Sequence, residues 1–217
     1  FVILPFEEEF YQKYNYQVDF VGHPLLDVVD EFVPPPDFRA ANGLDERPIV
    51  ALLPGSRRQE IVRMLEVMLQ TAALFPDYQF VIAGAPSISR SFYDDSLLSQ
   101  ARAALVTSGT ATLETALFGV PQTVCYRGGS ISFFIARRLV NVKYISLVNL
   151  IADKPLVREL IQHQLSVDSL SEQLRLLLDD DHARQLREGY QDLRRRLGER
   201  GAAQTAARGM VEALLNL

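Results

Sequence analysis

Two hydrophobic periods alternate along the chain. Short, nearly continuous apolar runs at 48–53, 79–83 and 104–106 read as strands covered on both faces. Between and after them, apolar residues recur every three or four positions. Ile61, Leu65, Met68 and Ala72 form one such stripe, Leu170, Leu174 and Leu177 a second, and Leu186, Tyr190, Leu193 and Leu197 a third. Buried strands alternating with amphipathic helices predict an α/β fold, a parallel sheet with helices on both faces and further helices at the C-terminal end.

The same reading predicts strands at 1–4, 18–21 and 144–147, a strand opening at Pro121, a helix that follows Ser108-Gly109-Thr110 and ends at Gly119, and helices at 7–14, 96–102, 130–140, 155–161 and 202–215. It also predicts a turn at 148–152 and a stiff extended linker at 33–36 (Val-Pro-Pro-Pro). Between Ala85 and Arg102 the pattern thins where one more strand and turn are expected.

The candidate chemistry lies where strands end. Residues 104–127 read as strand, glycine turn, helix and strand, with Ser108-Gly109-Thr110 at the first junction and Glu114 one turn further on. A helix N-terminus behind a buried strand presents amides and a positive dipole end to phosphate. Gly109 lets a ligand approach the main chain. Glu114 can accept hydrogen bonds from sugar hydroxyls. The alternative is a purely structural capping arrangement of Thr110 and Glu114. A second junction, Pro54-Gly55-Ser56-Arg57, puts a guanidinium fork at the mouth of the next helix. Tyr126, Arg127 and Asn149 also fall just past strand ends. Asn149 either satisfies backbone groups or points into a ligand cleft. In an open parallel sheet such positions line one crevice.

Composition narrows the classes. A hydrophobic share of 48%, a charged share of 23% and no apolar run near ~20 residues describe a globular chain without a membrane-spanning helix. The net charge of −5 argues against a nucleic-acid binder. The one cysteine, Cys125, excludes an internal disulfide, fits a reducing compartment, and sits in an apolar strand as a core thiol. His23, in a turn beside Pro24, reads as structural. The helix at 180–197 carries Arg184, Arg187, Arg194, Arg195 and Arg196, with Glu188 and Asp192 interleaved. It is either a solvated mixed-charge helix or a surface drawn to anionic lipid headgroups. The chain opens Phe1-Val2-Ile3-Leu4, as a strand already under way, so a piece of a longer protein is expected.

Six segments, in order, resemble the bacterial lipid-A-disaccharide synthases: LPFEEEFY at 4–11, FVGHPLLD at 20–27, ALLPGSRRQEI at 51–61, ALVTSGTATLETAL at 104–117, YRGGSISFFIARRLV at 126–140 and YISLVNLIADKPLVREL at 144–160. The resemblance implies a Rossmann-like domain, one half of a GT-B glycosyltransferase. It implies transfer of 2,3-diacylglucosamine from UDP-2,3-diacylglucosamine to 2,3-diacylglucosamine 1-phosphate, with no metal and no cofactor. Arg57, Ser108, Gly109, Thr110, Glu114 and Asn149 would bind the donor, with Gly55, Ser56, Tyr126 and Arg127 as secondary candidates. The catalytic base would lie in an N-terminal half not contained here. Residues 1–27 would then be the tail of that acceptor domain and hinge, 28–178 the UDP-sugar domain, and 179–217 crossover helices. By the same likeness the stripe from Leu186 to Leu197 would be exposed or would pair with a second copy, and the intact enzyme would sit peripherally at the cytoplasmic face of the inner membrane. The loop after Tyr93 is short against the family pattern. The glycine turn by itself is shared with other nucleotide-sugar enzymes, so a UDP-N-acetylglucosamine epimerase or cell-wall glycosyltransferase is the alternative. A non-catalytic interaction module is the third reading.

Overall fold

The computed structural model describes residues 1–83, 95–128 and 143–215. Three short helices come first: α1 (Glu7–Gln12), α2 (Leu25–Glu31) and α3 (Phe38–Ala41). The sheet units follow as β1 (Ile49–Leu53), α4 (Arg58–Ala72), β2 (Gln79–Ile82), α5 (Asp95–Gln100), β3 (Ala101–Thr107), α6 (Thr110–Leu117), β4 (Gln122–Tyr126), α7 (Leu147–Ala152) and β5 (Arg158–Ile161). Helices α8 (Val167–Leu178), α9 (Asp180–Arg196) and α10 (Ala202–Leu215) close the chain.

The five strands are all parallel, in the order β2-β1-β3-β4-β5. After β1 the chain steps to one side for β2, then returns to the other side of β1 for β3. The switch point therefore lies between the carboxyl ends of β1 and β3. Strand alternation feeds two cores. Val50, Leu52, Ala103 and Leu105 join the layer containing α4, α8 and α9. Ile49, Ala51, Leu53, Ala104 and Val106 join the layer containing α3 and α5. All nine are buried, as a sheet covered on both faces requires.

Several elements differ from the sequence expectation. The segment at 155–161 is not a helix; its last four residues form edge strand β5 against β4, with Cys125 opposite Leu160. Sheet pairing overrides the helix preference of Arg-Glu-Leu there. The expected strand at 144–147 and turn at 148–152 are instead a loop and helix α7, which Ser146 caps by accepting from the Asn149 amide. The expected strands at 1–4 and 18–21 reduce to one parallel bridge, Val2 to Phe20, a pairing too short to make a ladder. The helix expected at 130–140 and most of the interval expected to hold an extra strand lie outside the described residues.

The stripe on α9 is the largest correction. Leu186, Tyr190, Leu193 and Leu197 are all buried in the chain's own core, with Leu197 at 0% exposure, so they offer no face to a second copy. Burying side chains of this size stabilises by roughly 1.5–3 kcal/mol each. Exposed apolar side chains include Met210, Val211, Leu214 and Leu215 on α10 and Phe10, Tyr14 and Tyr16 on or near α1.

The two ends of the described chain are stitched together. The His23 amide donates to the Leu197 carbonyl at 3.1 Å, and the Gly201 amide to Asp27 Oδ1 at 2.9 Å. Arg194 pairs with Asp30 at 2.6 Å and Arg200 with Glu31 at 2.7 Å. Gly22 has φ +88°, and a Cβ there would stand 2.8 Å from the Glu199 carbonyl oxygen, so this crossing needs glycine.

Candidate functional site

The rim of the sheet at the switch point is built from the loops after β1, β3 and β4. In the first, Gly55 turns the chain with φ +108°, where a Cβ would stand 2.7 Å from Glu60 Oε2. That close pass lets the Glu60 carboxylate reach back to accept from the Arg57 amide at 3.3 Å, half of a capping box. The Arg57 side chain is 83% exposed, and its one ion pair among the described residues, to Glu60, is 3.5 Å long. Ser56 and Arg58 are exposed beside it.

In the second loop the capping arrangement of Thr110 and Glu114 is not formed. Helix α6 starts at Thr110 with no side-chain cap on its first amides. The Ser108 hydroxyl instead donates to the Ile145 carbonyl at 2.8 Å, pinning the segment ahead of α7 to the rim. Thr112 turns its hydroxyl back to the Gly109 carbonyl at 2.8 Å. Nothing lies within 4 Å of where a Cβ of Gly109 would be, so the main chain is open to approach. An uncapped first turn leaves amides directed outward, the electrostatics that suit an anion.

Glu114 sits one turn along α6, half-buried against Asp95 at the start of α5. Burial first, then the hydrogen bond and charge of Asp95, push the Glu114 carboxyl up to about 7. Near neutral pH the Glu114 carboxyl is thus partly protonated, and it can both donate to and accept from hydroxyl groups.

The third loop brings Tyr126 and Arg127 to the same rim. Tyr126 lies against Gly128, and the Arg127 guanidinium donates to the Leu165 carbonyl. Between this loop and the first two turns of α4 is a cavity of about 480 Å³. Arg57, Arg58, Arg63 and Arg127 line it together with Glu60, Thr107 and Tyr126. Four guanidinium groups against one carboxylate make it strongly positive. Arg63 and Thr107 were not among the sequence candidates. Arg63 is on the second turn of α4, six residues past Arg57, a spacing that helical periodicity does not place on one face, so the sequence carried no signal for it. For Thr107, a polar residue ending an apolar strand, the signal was position alone.

Asn149 departs from expectation. It is 1% exposed, and its amide group bridges inward. Nδ2 donates to the Val157 carbonyl and to Glu159 Oε1, both at 2.9 Å, and Oδ1 accepts from the Val157 amide at 2.9 Å. Glu159 gathers the Ile145 amide, the Ser146 amide at 3.0 Å and the Ser146 hydroxyl at 2.7 Å as well. This knot ties α7 to β5 and leaves the Asn149 side chain nothing to offer a cleft. It satisfies backbone groups, the other of the two readings open to it.

His23 is buried, its Nδ1 accepts from the Leu25 amide, and desolvation holds its pKa below the ordinary value. It is structural. Burial pushes the Cys125 thiol up to about 12, so it stays protonated in the core. The five arginines of α9 all have partners. Arg187 donates to the Gly119 carbonyl and Arg196 to the Ile151 carbonyl, while Arg184, Arg194 and Arg195 pair with Asp181, Asp30 and Asp192. Three of the five thus face carboxylates, as the mixed-charge reading of that helix expects. Among the described residues no cluster of His, Cys, Asp or Glu is arranged to hold a metal ion, and no helix is long and apolar enough to cross a membrane.

The sheet, parallel and wound to both sides of its switch point, has the architecture of one half of a GT-B glycosyltransferase fold. Among solved structures it superposes on a sucrose-phosphate synthase from Thermosynechococcus elongatus with a TM-score of 0.56 at 18% identity, covering 99% of this chain and 57% of that one. It also superposes on WaaG, a glycosyltransferase involved in lipopolysaccharide biosynthesis, with a TM-score of 0.51 at 17% identity, covering 83% and 51%. At such identities the likeness concerns the fold. Sequence carries the assignment further: residues 1–93 and 86–211 match the lipid-A-disaccharide synthetase family, and the chain belongs to it. The two matched stretches meet at 86–93, where the sequence pattern is thin. Named relatives include the lipid-A-disaccharide synthase of Syntrophus aciditrophicus, 38% identical over 230 residues, and that of Myxococcus xanthus, 37% identical over 239 residues. These alignments cover 95% and 98% of this chain but 60% and 61% of the relatives, so the chain spans about three fifths of their length.

Proposed function

We propose that this chain is the donor-binding part of a lipid A glycosyltransferase. The complete enzyme would transfer 2,3-diacylglucosamine from UDP-2,3-diacylglucosamine to 2,3-diacylglucosamine 1-phosphate, releasing UDP. The observation that carries this reading is convergence: the exposed Arg57 fork and the uncapped N-terminus of α6 flank one switch point. In this assignment Gly109 and Thr110 offer main-chain amides to the diphosphate, and Ser108 holds the rim through Ile145. Arg57 supplies a bidentate positive group, and the Glu114 carboxyl meets the ribose hydroxyls. A preorganised positive rim would stabilise the charge that gathers on departing UDP, this part's share of catalysis.

Asn149 contributes by fixing α7 and hence the Ile145 anchor for Ser108. Residues 1–27 would belong to the hinge and the acceptor domain, and the acceptor and its base would be met by the remaining two fifths of the protein. Both substrates carry acyl chains, so the complete enzyme would work at the cytoplasmic face of a membrane. Contact there would come from surfaces other than α9. The test is titration of the chain with UDP by calorimetry, beside UDP-N-acetylglucosamine and the diacylated donor. Binding of UDP, weakened in Arg57→Ala, is expected. Absence of any UDP heat together with an unchanged Tm would sink the reading.

A further inference from the structure

The sheet is open on the side where its winding stops short. A doubly wound sheet of the six-stranded pattern places one more strand outside β2, reached through a further helix. Here β2 is the outermost strand, and among the described residues it pairs only with β1. The same shortfall shows in sequence. The alignment with the Myxococcus xanthus relative runs over 239 residues, more than the 217 of this chain, so the relative carries residues within the aligned stretch that this chain lacks. The family match breaks into two stretches that overlap at 86–93, shortly after β2. The difference is about the length of one strand and one helix.

What the shortfall leaves bare is apolar. Helix α4 buries Met64, Val67, Met68 and Thr71 against the sheet. Beside that face it carries a second apolar strip of Ile61, Val62, Leu65, Leu69 and Ala72. None of these is buried, and Val62 is 67% and Leu69 46% exposed. The other flank of α4, with Gln59, Glu60 and Arg63, borders the cavity shared with Thr107 of β3 and Tyr126 of β4. The strip therefore faces away from β3, toward the open edge of β2. Phe80 and Ile82 lie on the α4 side of that edge, because side chains alternate along a strand, and Ile82 is 39% exposed. The edge reads Gln-Phe-Val-Ile, without the charge, proline or bulge that protects an edge strand.

Two copies of this edge fit each other. A twofold axis perpendicular to the sheet would pair β2 antiparallel with β2 of the second copy and set both α4 helices on one face. Helix α4 connects β1 to β2 and lies over that pair. The two α4 axes would then stand two strand spacings apart, about 9–10 Å, which is the distance at which helices pack. The helices would run antiparallel, each N-terminal end with Arg57 and Arg58 toward the other's C-terminal end and Asp77. We propose that the chain self-associates through the β2 edge and the 61–72 strip of α4, joining two sheets into one. The contact is isologous and closes on itself, so it makes dimers rather than fibres. A strand of four residues and one helix strip form a small interface, so the dimer is reversible. The two β1–β3 rims would lie at opposite ends of the joined sheet, so nucleotide binding is independent of pairing.

Sedimentation equilibrium of the 217-residue chain tests this, against a monomer of 24.4 kDa. The weight-average mass should rise with concentration toward twice that value. Leu69→Lys and Ile82→Lys place charge at positions already exposed. Each should keep its circular dichroism and Tm and raise the dissociation constant by about tenfold or more. Met210→Lys with Leu214→Lys, on the exposed end of α10, should leave that constant unchanged. A wild-type chain that stays at 24.4 kDa up to about 0.1 mM overturns the proposal. So does a dimer that survives both Leu69→Lys and Ile82→Lys, or one that only the α10 pair disrupts. Failure of either lysine variant to fold also overturns it, since that side chain would then be committed within the chain. UDP titration of the same variants keeps the two readings apart. Affinity within about twofold of the wild type is expected. A dimer that breaks in Leu69→Lys, from a chain that binds no UDP, leaves the interface standing while the donor reading falls.

Discussion

The two flanks of the sheet's carboxyl edge use polar side chains in opposite ways. On the β4–β5 flank, Asn149, Ser146 and Glu159 form a closed set. Every polar atom of the Asn149 side chain is paired within the chain, at 2.9 Å in each case. On the β1–β3 flank, Arg57 is nearly all exposed, α6 has no side-chain cap, and Thr107 Oγ1 has no partner. Both flanks contain residues that look like ligand contacts in a one-dimensional pattern. What separates them is satisfaction. A paired polar group is architecture, and an unpaired one at a charged opening is a candidate for binding.

The largest effect expected from this contrast is on stability. Asn149→Ala removes three inward hydrogen bonds and strands the Val157 amide and carbonyl in a buried place. It should cost about 3 kcal/mol in urea unfolding. The molecules that remain folded should bind UDP within about twofold of the wild type. A variant that keeps its stability and loses UDP would erase the contrast and return Asn149 to the donor site.

Arg57→Ala makes the mirror-image prediction. Its side chain buries little and has one long ion pair among the described residues, so unfolding should change by less than about 0.5 kcal/mol. Loss of a charge-assisted contact should weaken UDP by about tenfold or more. A loss of stability without a loss of affinity would count against the open flank as a binding surface.

These contrasts also mark what was legible in the sequence. Long-range layout was: β1, β2, β3 and the helices α4, α6, α8, α9 and α10 follow from hydrophobic period, because packing on a sheet imposes that period locally. The α7–β5 region was not. Residues 155–161 carry helix-favouring side chains, and only pairing with β4 makes four of them a strand, a fact about distant residues. The stripe on α9 was legible as a stripe but not as a destination. Period says that one face is buried, never against what. In the rim, Arg57, the 108–114 turn, Tyr126 and Arg127 could be found because glycine turns after apolar strands mark strand ends. Thr107 and the inward commitment of Asn149 could not, since hydrogen-bond pairing is a three-dimensional property.

A pH series sharpens the open flank further. The folded chain holds the Glu114 proton up to about pH 7, against 4.5 for the unperturbed carboxyl. Between those values the folded state binds more protons than the unfolded one. Stability from this group therefore falls as pH rises through that window and levels off above it. Glu114→Gln cannot ionise and should flatten that part of the profile in urea unfolding at a series of pH values. A slope that persists unchanged in Glu114→Gln would locate the titration elsewhere.

The smallest effect belongs to the arginines of α9. Arg184 and Arg195 form exposed pairs with Asp181 and Asp192 one helical turn away, 65% and 73% exposed on the arginine side. Such pairs are screened by water and salt and contribute little. Arg184→Gln with Arg195→Gln should shift unfolding by less than about 0.5 kcal/mol and leave UDP affinity alone. The same double variant should not change sedimentation with anionic vesicles, because both of these positive charges already face carboxylates and the helix presents mixed charge. A marked loss of vesicle binding would restore a membrane role to α9 and make it a third kind of region, open to a surface rather than to a nucleotide.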